Sequence, residues 1–416
     1  MRFGIKLGLS QSTELFLRSG APLEKGFIHI AGTNGKGSTG AMIECALRSV
    51  GYRTGFYSSP HLISLRERIR VAGRAVSTEL FNRAFATVKE AAEAMRAEER
   101  TPTFFEFTTA LAALIFELEK CDFVVWETGM GGRFDATNVV ESELSVITGI
   151  ALDHQQYLGD TIEKIAFEKA GIIHTGCPVF TGELVPEARF VIENEALRHD
   201  APSYRPDGEP MTDLIFGSDE HGFFQEFTHR GRRIRLALGG AMQRRNFKVV
   251  YPVLEHLSQK YDFSLDDALA GLARVRWPGR CQKLANGLIV DGGHNPDGAT
   301  ALAEALAELE PGAKYTVVFA GFKDKDLAGN LRALSSLAAK FIFVPLKDAR
   351  PSATAAELTT ILQQNGLAIP AVEAAGAVEG CEEALAGGSR VLAAGSLYLA
   401  GEVLARYAPR AALDLV

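Results

Sequence analysis

A short glycine-rich turn at residues 32–38 contains the residue types that most directly indicate chemistry. It reads Gly32, Thr33, Asn34, Gly35, Lys36, Gly37 and Ser38, and it lies between a predicted strand and a predicted helix. Glycines let backbone N–H groups converge on phosphate oxygens, and a helix N-terminus adds positive potential. The turn is shorter than the general phosphate-loop pattern, and Gly37 separates its lysine from its serine. We therefore expect it to bind nucleotide phosphates, with Lys36 reaching the β- and γ-phosphates.

Two further polar residues stand at the ends of predicted strands. Glu127 ends a buried strand at residues 122–127, and His154 follows a strand at residues 144–150. Ligands of open parallel sheets bind at the carboxyl edge, so both side chains should lie beside the phosphate-binding turn. A carboxylate, an imidazole and a hydroxyl could hold Mg²⁺ while leaving positions for phosphate and water.

The elements that must position these residues alternate between strand and helix. Apolar side chains at helical spacing follow the turn as far as Val50. Further strands are predicted at residues 26–31, 52–57, 122–127 and 144–150, and further helices at 107–118 and 161–170. This alternation predicts a parallel sheet covered on both faces. Residues 208–238 differ, because their short alternating segments predict a small antiparallel excursion.

A second alternating region begins after Trp277-Pro278-Gly279-Arg280, which breaks any regular element and predicts a linker. Strands are expected at residues 288–290, 315–320, 340–345 and 390–394, with helices at 297–309, 327–338, 354–364 and 396–407. The second region is therefore predicted to be a smaller doubly wound α/β domain. The boundaries that follow are 1–276 for the first domain, 277–284 for the linker and 285–416 for the second domain.

Composition excludes several classes of protein. The 416 residues carry 44 Lys and Arg against 51 Asp and Glu, and the resulting net charge of −7 disfavours a general binder of nucleic acid or anionic membranes. No apolar stretch approaches the roughly 20 residues that span a bilayer, and no signal peptide is evident, so a cytoplasmic protein is expected. The five cysteines form no C-x-x-C pair and are expected to be reduced, buried thiols.

Motifs along nearly the whole chain resemble one family. After the glycine-rich turn come SSPHL at residues 58–62, ERIRV at 67–71, ETGMGGRFDATN at 127–138, ALDH at 151–154, EKAGI at 168–172, PGR at 278–280, DGGHNP at 291–296, DKD at 324–326 and GSLY at 395–398. In this order they resemble the bifunctional dihydrofolate synthase/folylpolyglutamate synthase family of the ATP-dependent Mur-ligase superfamily. The resemblance implies a phosphate-loop-containing central domain with a mostly parallel sheet and a smaller Rossmann-like C-terminal α/β domain. The first would hold ATP and a pterin or folate, and the second would be the glutamate-ligase domain.

The resemblance also implies roles for individual residues. The catalytic candidates are Lys36, Lys169 and His294. The ATP site would comprise Gly32, Thr33, Asn34, Gly35, Lys36, Gly37, Ser38, Asn246, Arg280 and Asp291. The ligands of Mg²⁺ would be Ser59, Glu127 and His154, and a carbamylated Lys169 would bind a second Mg²⁺. The pterin or folate pocket would comprise Thr103, Phe104, Phe105, Glu106, Phe134, Asp135 and Ala136, with Phe3 and Gly4 as a further segment.

The activity implied is ATP-dependent addition of L-glutamate to a pterin-linked carboxylate through an acyl phosphate. The acceptor could be dihydropteroate, a reduced folate or both, and the intact segments at residues 103–106 and 134–136 favour both. Polyglutamylation alone remains an alternative. A muramyl-peptide ligase is disfavoured because no extra nucleotide-sugar domain is evident before residue 26. A phosphate-loop nucleotide switch is disfavoured because the N-K-x-D motif of GTPases is missing. We expect small-molecule substrates only and, from the family, a monomer.

Overall fold

The first of three β-sheets is large and mostly parallel. The computed structural model describes residues 8–347 and 350–410, and its first sheet has the strand order β4-β3-β2-β5-β1-β6-β7-β8. The strands are β1 (Glu24–Ala31), β2 (Thr54–Tyr57), β3 (Ile69–Val71), β4 (Arg74–Ala75), β5 (Phe123–Glu127), β6 (Glu141–Ile147), β7 (Val179–Thr181) and β8 (Ser203–Tyr204). Only the β2–β3 and β3–β4 pairs are antiparallel. Strand β5 is buried throughout, as its continuous apolar run leads one to expect of a central parallel strand.

Helices cover both faces of this sheet and align its strand ends. They are α1 (Ser10–Ser19), α2 (Lys36–Ser49), α3 (Thr78–Ala97), α4 (Phe104–Leu118), α5 (Gln155–Leu158), α6 (Ile162–Ala170) and α7 (Pro186–Arg198). Helix α2 contributes to the apolar core on one face, and α3 and α4 contribute to the core on the other. Ile30 of β1 pairs with Glu127 on one side and Val146 on the other. Strands β1, β5 and β6 therefore finish together, and the segments that follow them share one edge.

The predicted antiparallel excursion is confirmed. Strands β9 (Thr212–Asp219), β10 (Gly222–His229) and β11 (Arg232–Leu236) form a separate antiparallel sheet with β10 in the centre. Two helices follow, α8 (Ala241–Tyr261) and α9 (Leu265–Gly271). Phe227 and Ile234 of this sheet join the core that contains α2, so the excursion packs against the first region.

The second region contains the third sheet. The predicted α/β class is confirmed for both regions. The order of this sheet is β12-β13-β17-β14-β15-β16, and every pair except β12–β13 is parallel. Its strands are β12 (Gln282–Lys283), β13 (Ile289–Val290), β14 (Tyr315–Phe319), β15 (Ala338–Phe343), β16 (Ala371–Glu373) and β17 (Val391–Ala394). Its helices are α10 (Pro296–Leu309), α11 (Leu327–Ser335), α12 (Ala355–Gln364), α13 (Ala377–Ala386) and α14 (Leu397–Tyr407). Across the described chain, no helix combines the length and apolar character needed to cross a membrane.

Candidate active site

The glycine-rich turn connects β1 to α2 at the shared edge of the first sheet. Gly35 precedes α2 with a left-handed φ of +88°, a conformation that glycine adopts without strain. The end of β6 and the residues after it hold the turn, because Thr33 N–H donates to the Gly149 carbonyl (2.8 Å). The Thr148 hydroxyl donates to the Asn34 carbonyl (2.7 Å). The turn is thus fixed by a neighbouring strand before any ligand is considered.

Two lysines meet at one backbone carbonyl of this turn. The Lys36 and Lys169 ammonium groups donate to the Gly32 carbonyl oxygen at 3.0 and 2.9 Å. Lys169 lies in the last turn of α6 and is only 3% exposed. Burial, and after it the charge of Lys36, lowers the pKa of Lys169 to about 7. The turn therefore has one lysine in its own helix and a second, buried amine directly behind it.

Glu127 places a buried carboxylate beside these lysines. It is the last residue of β5, and its Oε1 lies 4.0 Å from Lys36 Nζ. Burial raises the pKa of Glu127 to about 7, although Lys36, Arg280 and the backbone N–H of Ser59 act in the opposite direction. A carboxylate with so little solvent and so few strong partners gains most from a further cation.

The opposite wall of the site comes from the linker and the third sheet. Both Asp291 carboxylate oxygens accept backbone N–H bonds, from Cys281 (2.8 Å) and Gly293 (2.7 Å). The Arg280 guanidinium donates to the carbonyl of its neighbour Gly279 (3.0 Å), and His294 follows in the loop before α10. Asp291 therefore fixes the stretch of linker from which Arg280 extends.

Polar contacts join the two walls. Lys325 Nζ lies 2.9 Å from Asp153 Oδ1, and His294 Nε2 lies 3.7 Å from Asp153 Oδ2. Burial acts to raise the pKa of the Asp153 carboxyl, but His294, His154 and Lys325 hold this pKa well below its usual range. Neither Asp153 nor Lys325 is among the predicted site residues. The available signal was their position in the ALDH and DKD motifs.

One cleft of about 590 Å³ lies between the walls. Every residue predicted for catalysis, ATP or metal lines it: Gly32, Thr33, Asn34, Gly35, Lys36, Gly37, Ser38, Ser59, Glu127, His154, Lys169, Asn246, Arg280, Asp291 and His294. Asn246 of α8 contacts the turn directly, because a side-chain carbon on Gly35 would lie 2.5 Å from its Oδ1. Residues separated by up to 262 positions in sequence thus face one space.

The cleft offers a donor set that fits Mg²⁺. The Ser59 hydroxyl, the Glu127 carboxylate and the His154 imidazole are oxygen and nitrogen ligands on one cleft surface. Residues 8–347 and 350–410 contain no group of three or more His, Cys, Asp or Glu that could hold a metal by itself. A metal held here would therefore rely on phosphate oxygens or water for its remaining ligands, as Mg²⁺ in nucleotide sites commonly does.

The segment at residues 103–106 begins α4, and its polar side chains are used internally. Glu106 N–H donates to the Thr103 hydroxyl (3.2 Å), and Thr103 N–H donates to Glu106 Oε2 (2.7 Å). This is a reciprocal capping box, and Ser12 donates to the second Glu106 oxygen (3.1 Å). Phe105 packs over Gly129, which lines the cleft, and Arg68 lies 5.4 Å from the Phe104 ring centroid.

The segment at residues 134–136 adjoins the same cleft wall. Asp135 accepts hydrogen bonds from Met130 N–H (2.8 Å), Thr137 N–H (3.0 Å) and the Thr137 hydroxyl (2.5 Å). Burial raises the pKa of Asp135, against the effect of these hydrogen bonds. Ala136 is buried, whereas Phe134 is 45% exposed. Phe105 and Asp135 therefore contact the cleft-lining residues Gly129 and Met130, but the predicted pterin residues do not themselves line the cleft. Phe3 and Gly4 lie outside the described residues.

Comparison with known proteins gives the family. Residues 279–397 match the family model described as "Mur ligase, glutamate ligase domain". The dihydrofolate synthase/folylpolyglutamate synthase of Bacillus subtilis (strain 168) is 40% identical over 352 residues, covering 81% of this chain and 81% of that protein. This chain belongs to the dihydrofolate synthase/folylpolyglutamate synthase family.

Solved structures in this family extend the match over the whole fold. Escherichia coli FolC in complex with DHPP and ADP is 30% identical with a TM-score of 0.81, covering 96% of this chain and 93% of that chain. The bifunctional folylpolyglutamate synthase/dihydrofolate synthase from Yersinia pestis c092, complexed with AMPPNP and Mn ion, is also 30% identical with a TM-score of 0.81. It covers 97% of this chain and 94% of that chain. The family fold therefore includes both walls of the cleft.

Proposed function

We propose that this member of the family uses ATP to join L-glutamate to dihydropteroate and to reduced folates. The observation that carries the proposal is the single cleft in which the phosphate-binding turn, Glu127 and Lys169 face Arg280 and His294. ATP-dependent ligation is the activity of the family to which the chain belongs. The DHPP and ADP in one relative and the AMPPNP and Mn ion in another support a pterin substrate, ATP and a divalent metal here.

Phosphoryl transfer would be the first step. The acceptor carboxylate attacks the γ-phosphorus of ATP, the bond to the β-phosphate oxygen breaks, and an acyl phosphate and ADP form. This reaction needs positioning and charge neutralisation more than covalent help from the protein. Lys36 and the N–H groups of the turn would hold the phosphates from one wall, and Arg280 would approach them from the other. Asn246 and Asp291 would complete the ATP site.

The metal ligands proposed are Ser59, Glu127 and His154. When bound, the cation supplies positive charge to the phosphate oxygens of the nucleotide. We propose two Mg²⁺ ions, the second held by Lys169 after its amine adds carbon dioxide to form a carbamate and release a proton. Near-complete burial of Lys169 favours the neutral amine that this addition requires.

Amide formation would be the second step. The glutamate amino group attacks the acyl carbon, the carbon–oxygen bond to phosphate breaks, and inorganic phosphate leaves with the proton that the amine loses. His294, on the wall from the second region, would act on glutamate or on the leaving phosphate. The pterin would lie against Phe104, Phe105 and Phe134, since flat aromatic rings stack on heterocycles, with Thr103, Glu106, Asp135 and Ala136 shaping the pocket.

Water must be kept from the acyl phosphate, which hydrolyses readily. We propose domains at 1–276 and 285–416, joined by the linker 277–284, that close on ATP by a movement at residues 276–282. A cytoplasmic monomer is also proposed, from the family resemblance.

The test measures phosphate release from MgATP with L-glutamate and one acceptor at a time, followed by product mass. Dihydropteroate and tetrahydrofolate should both support turnover and gain glutamyl mass. Turnover with tetrahydrofolate alone would restrict the function to polyglutamylation, and turnover only with a UDP-muramyl peptide would replace it. Phosphate release that ignores both glutamate and acceptor would indicate a nucleotide switch.

A further inference from the structure

The glycine that separates Lys36 from Ser38 has a structural explanation in the linker. A side-chain carbon on Gly37 would lie 2.6–2.8 Å from the Cζ2, Nε1 and Cε2 atoms of Trp277. One on Gly40 would lie 2.7 Å from Phe56. Residues three apart share a helix face, so α2 has two glycines where it meets these rings. Only glycine allows this close an approach, and the departure from the general phosphate-loop pattern therefore makes room for the Trp277 indole.

The Trp277 indole packs against the first region. Its ring stacks on Phe56 of β2, with centroids 5.1 Å apart and planes inclined by 27°. The Arg70 guanidinium of β3 lies 5.7 Å from the indole centroid. The indole thus contacts one helix and two strands of the same sheet, and it holds the start of the linker against the first turn of α2.

Two residues later the linker is attached to the second region. The Gly279 carbonyl accepts a hydrogen bond from Gly292 N–H (2.8 Å), and Cys281 N–H donates to Asp291 (2.8 Å). Gly279 itself has a left-handed φ of +68°. The linker also borders a cavity of about 290 Å³, which Arg276, Trp277 and Pro278 help to line. The linker is therefore packed on the first region at Trp277 and bonded to the second region at Gly279, and a cavity adjoins the chain between these contacts.

We propose that Trp277 is a positioning residue that couples the phosphate-binding turn to the linker and so sets Arg280, three residues on, relative to the nucleotide phosphates. Gly37 provides the space that this contact needs. This role rests on the proposed function in one respect, because it assumes that a nucleotide binds in the cleft. It does not depend on which acceptor receives glutamate.

A set of variants tests the contact through the affinity for MgADP, measured by calorimetry. Trp277→Ala and Gly37→Ala should each weaken binding by about tenfold, because each disturbs the same contact. In the Trp277→Ala background, Gly37→Ala should add less than about twofold, since the added methyl group then meets no ring. Equal losses in both backgrounds would overturn the proposal. Gly208→Ala is the control and should bind as the original chain does, because a side-chain carbon there would meet no atom within 4 Å beyond the adjacent residues.

Positioning of Arg280 is tested in the same assay. If Trp277 acts through Arg280, then Trp277→Ala should add less than about twofold in an Arg280→Gln background. A full tenfold loss there would show that the tryptophan acts independently of the arginine, and this result contradicts the coupling. Thermal unfolding midpoints identify any variant that fails to fold.

Fluorescence of the original chain provides a test that can still be made if the alanine variants do not fold. The chain has two tryptophans, and Trp126 is fully buried with its N–H bonded to the Thr137 carbonyl. MgADP should therefore change the emission of the original chain through Trp277, and Trp277→Phe should abolish the change. Persistence of the change in Trp277→Phe would overturn the proposal. A chain that shows the change but forms no glutamyl product would retain this inference and lose the proposed function.

Discussion

Two neighbouring parts of the site use their polar groups differently. We call the phosphate-binding turn with Glu127 the nucleotide side, and the segments at residues 103–106 and 134–136 the aromatic side. Lys36 donates only to backbone carbonyls of its own turn, and Glu127 is buried near cations, so both have capacity for a ligand. On the aromatic side, Glu106 and Asp135 are occupied by hydrogen bonds within the protein. A family motif can therefore contain ligand-binding groups in one place and the supports of a loop or helix in another.

The largest effect should come from Lys36→Met on the nucleotide side. Loss of the ammonium group removes charge stabilisation from the transferred phosphoryl group, and kcat should fall by about a thousandfold or more. Lys36 donates to the Gly32 and Thr33 carbonyls and lies 4.0 Å from the Glu127 carboxylate, so thermal unfolding is measured beside kcat to separate a loss of stability from a loss of catalysis. Lys164→Met is a matched control, since Lys164 is exposed and pairs only with Asp160. A normal kcat in Lys36→Met would remove the main contrast between the two sides.

Asp135→Ala should affect folding and the acceptor together. It leaves the buried N–H of Thr137 and the half-buried N–H of Met130 without their acceptor, and a buried group left unpaired costs about 1–3 kcal/mol. We expect unfolding free energy to fall by about 2–4 kcal/mol in denaturant titration, with KM for dihydropteroate rising more than KM for ATP. Asp135→Asn keeps one carbonyl acceptor and should lie between. A loss of kcat at unchanged stability would instead place Asp135 with the nucleotide side.

Glu106→Gln should give a smaller loss of stability. The amide keeps one oxygen of the capping box but loses the charge and one of two acceptors, so about 1 kcal/mol of unfolding free energy is expected to be lost. Glu357→Gln provides the comparison, because Thr354 and Glu357 form the same box at the exposed start of α12, where Glu357 also pairs with Lys323. If Glu106 also binds substrate, only Glu106→Gln will raise KM for dihydropteroate.

Phe134→Ala should have the smallest effect and the most selective one. The ring is 45% exposed, so the unfolding free energy should change by less than about 0.5 kcal/mol. Loss of stacking should raise KM for dihydropteroate by about fivefold and leave KM for ATP unchanged. Phe190→Ala, at a ring that is 70% exposed on α7, is the control for removing a surface aromatic. Equal KM values in Phe134→Ala and the original chain would exclude this ring from the pocket.

Local patterns in the sequence predicted the centre of the fold well. The strand before the glycine-rich turn, the helix after it and the buried strand at residues 122–127 all form, because each has a clear apolar period and a glycine or charged boundary. The predicted start of α4 at Phe107 is wrong, since the helix begins at Phe104. The T-x-x-E capping box at residues 103–106 was present in the sequence, but it was interpreted only as a substrate segment.

Other differences depend on tertiary contacts. The strand predicted at residues 144–150 runs from Glu141 to Ile147, because Gly149 turns to bond the phosphate-binding turn. Helix α8 starts at Ala241, five residues before Asn246, and this places the Asn246 side chain against Gly35. The Asp153–Lys325 pair joins residues 172 positions apart. Neither periodicity nor local motifs specify such partners, so the motifs identified the residues of the cleft but not the contacts between its walls.

The shared carbonyl of Gly32 has a consequence for product discharge. When a bound phosphate leaves, the lysine that contacted it needs another hydrogen-bond partner. Without one, its charge is unpaired at a site with little water, which costs free energy. Lys36, the first residue of α2, donates to the Gly32 carbonyl, and Lys169 donates to the same oxygen. In the proposed mechanism, Lys36 would therefore exchange the phosphate for the Gly32 carbonyl when ADP leaves, and ADP release would cost less free energy than a step that leaves the ammonium group unpaired.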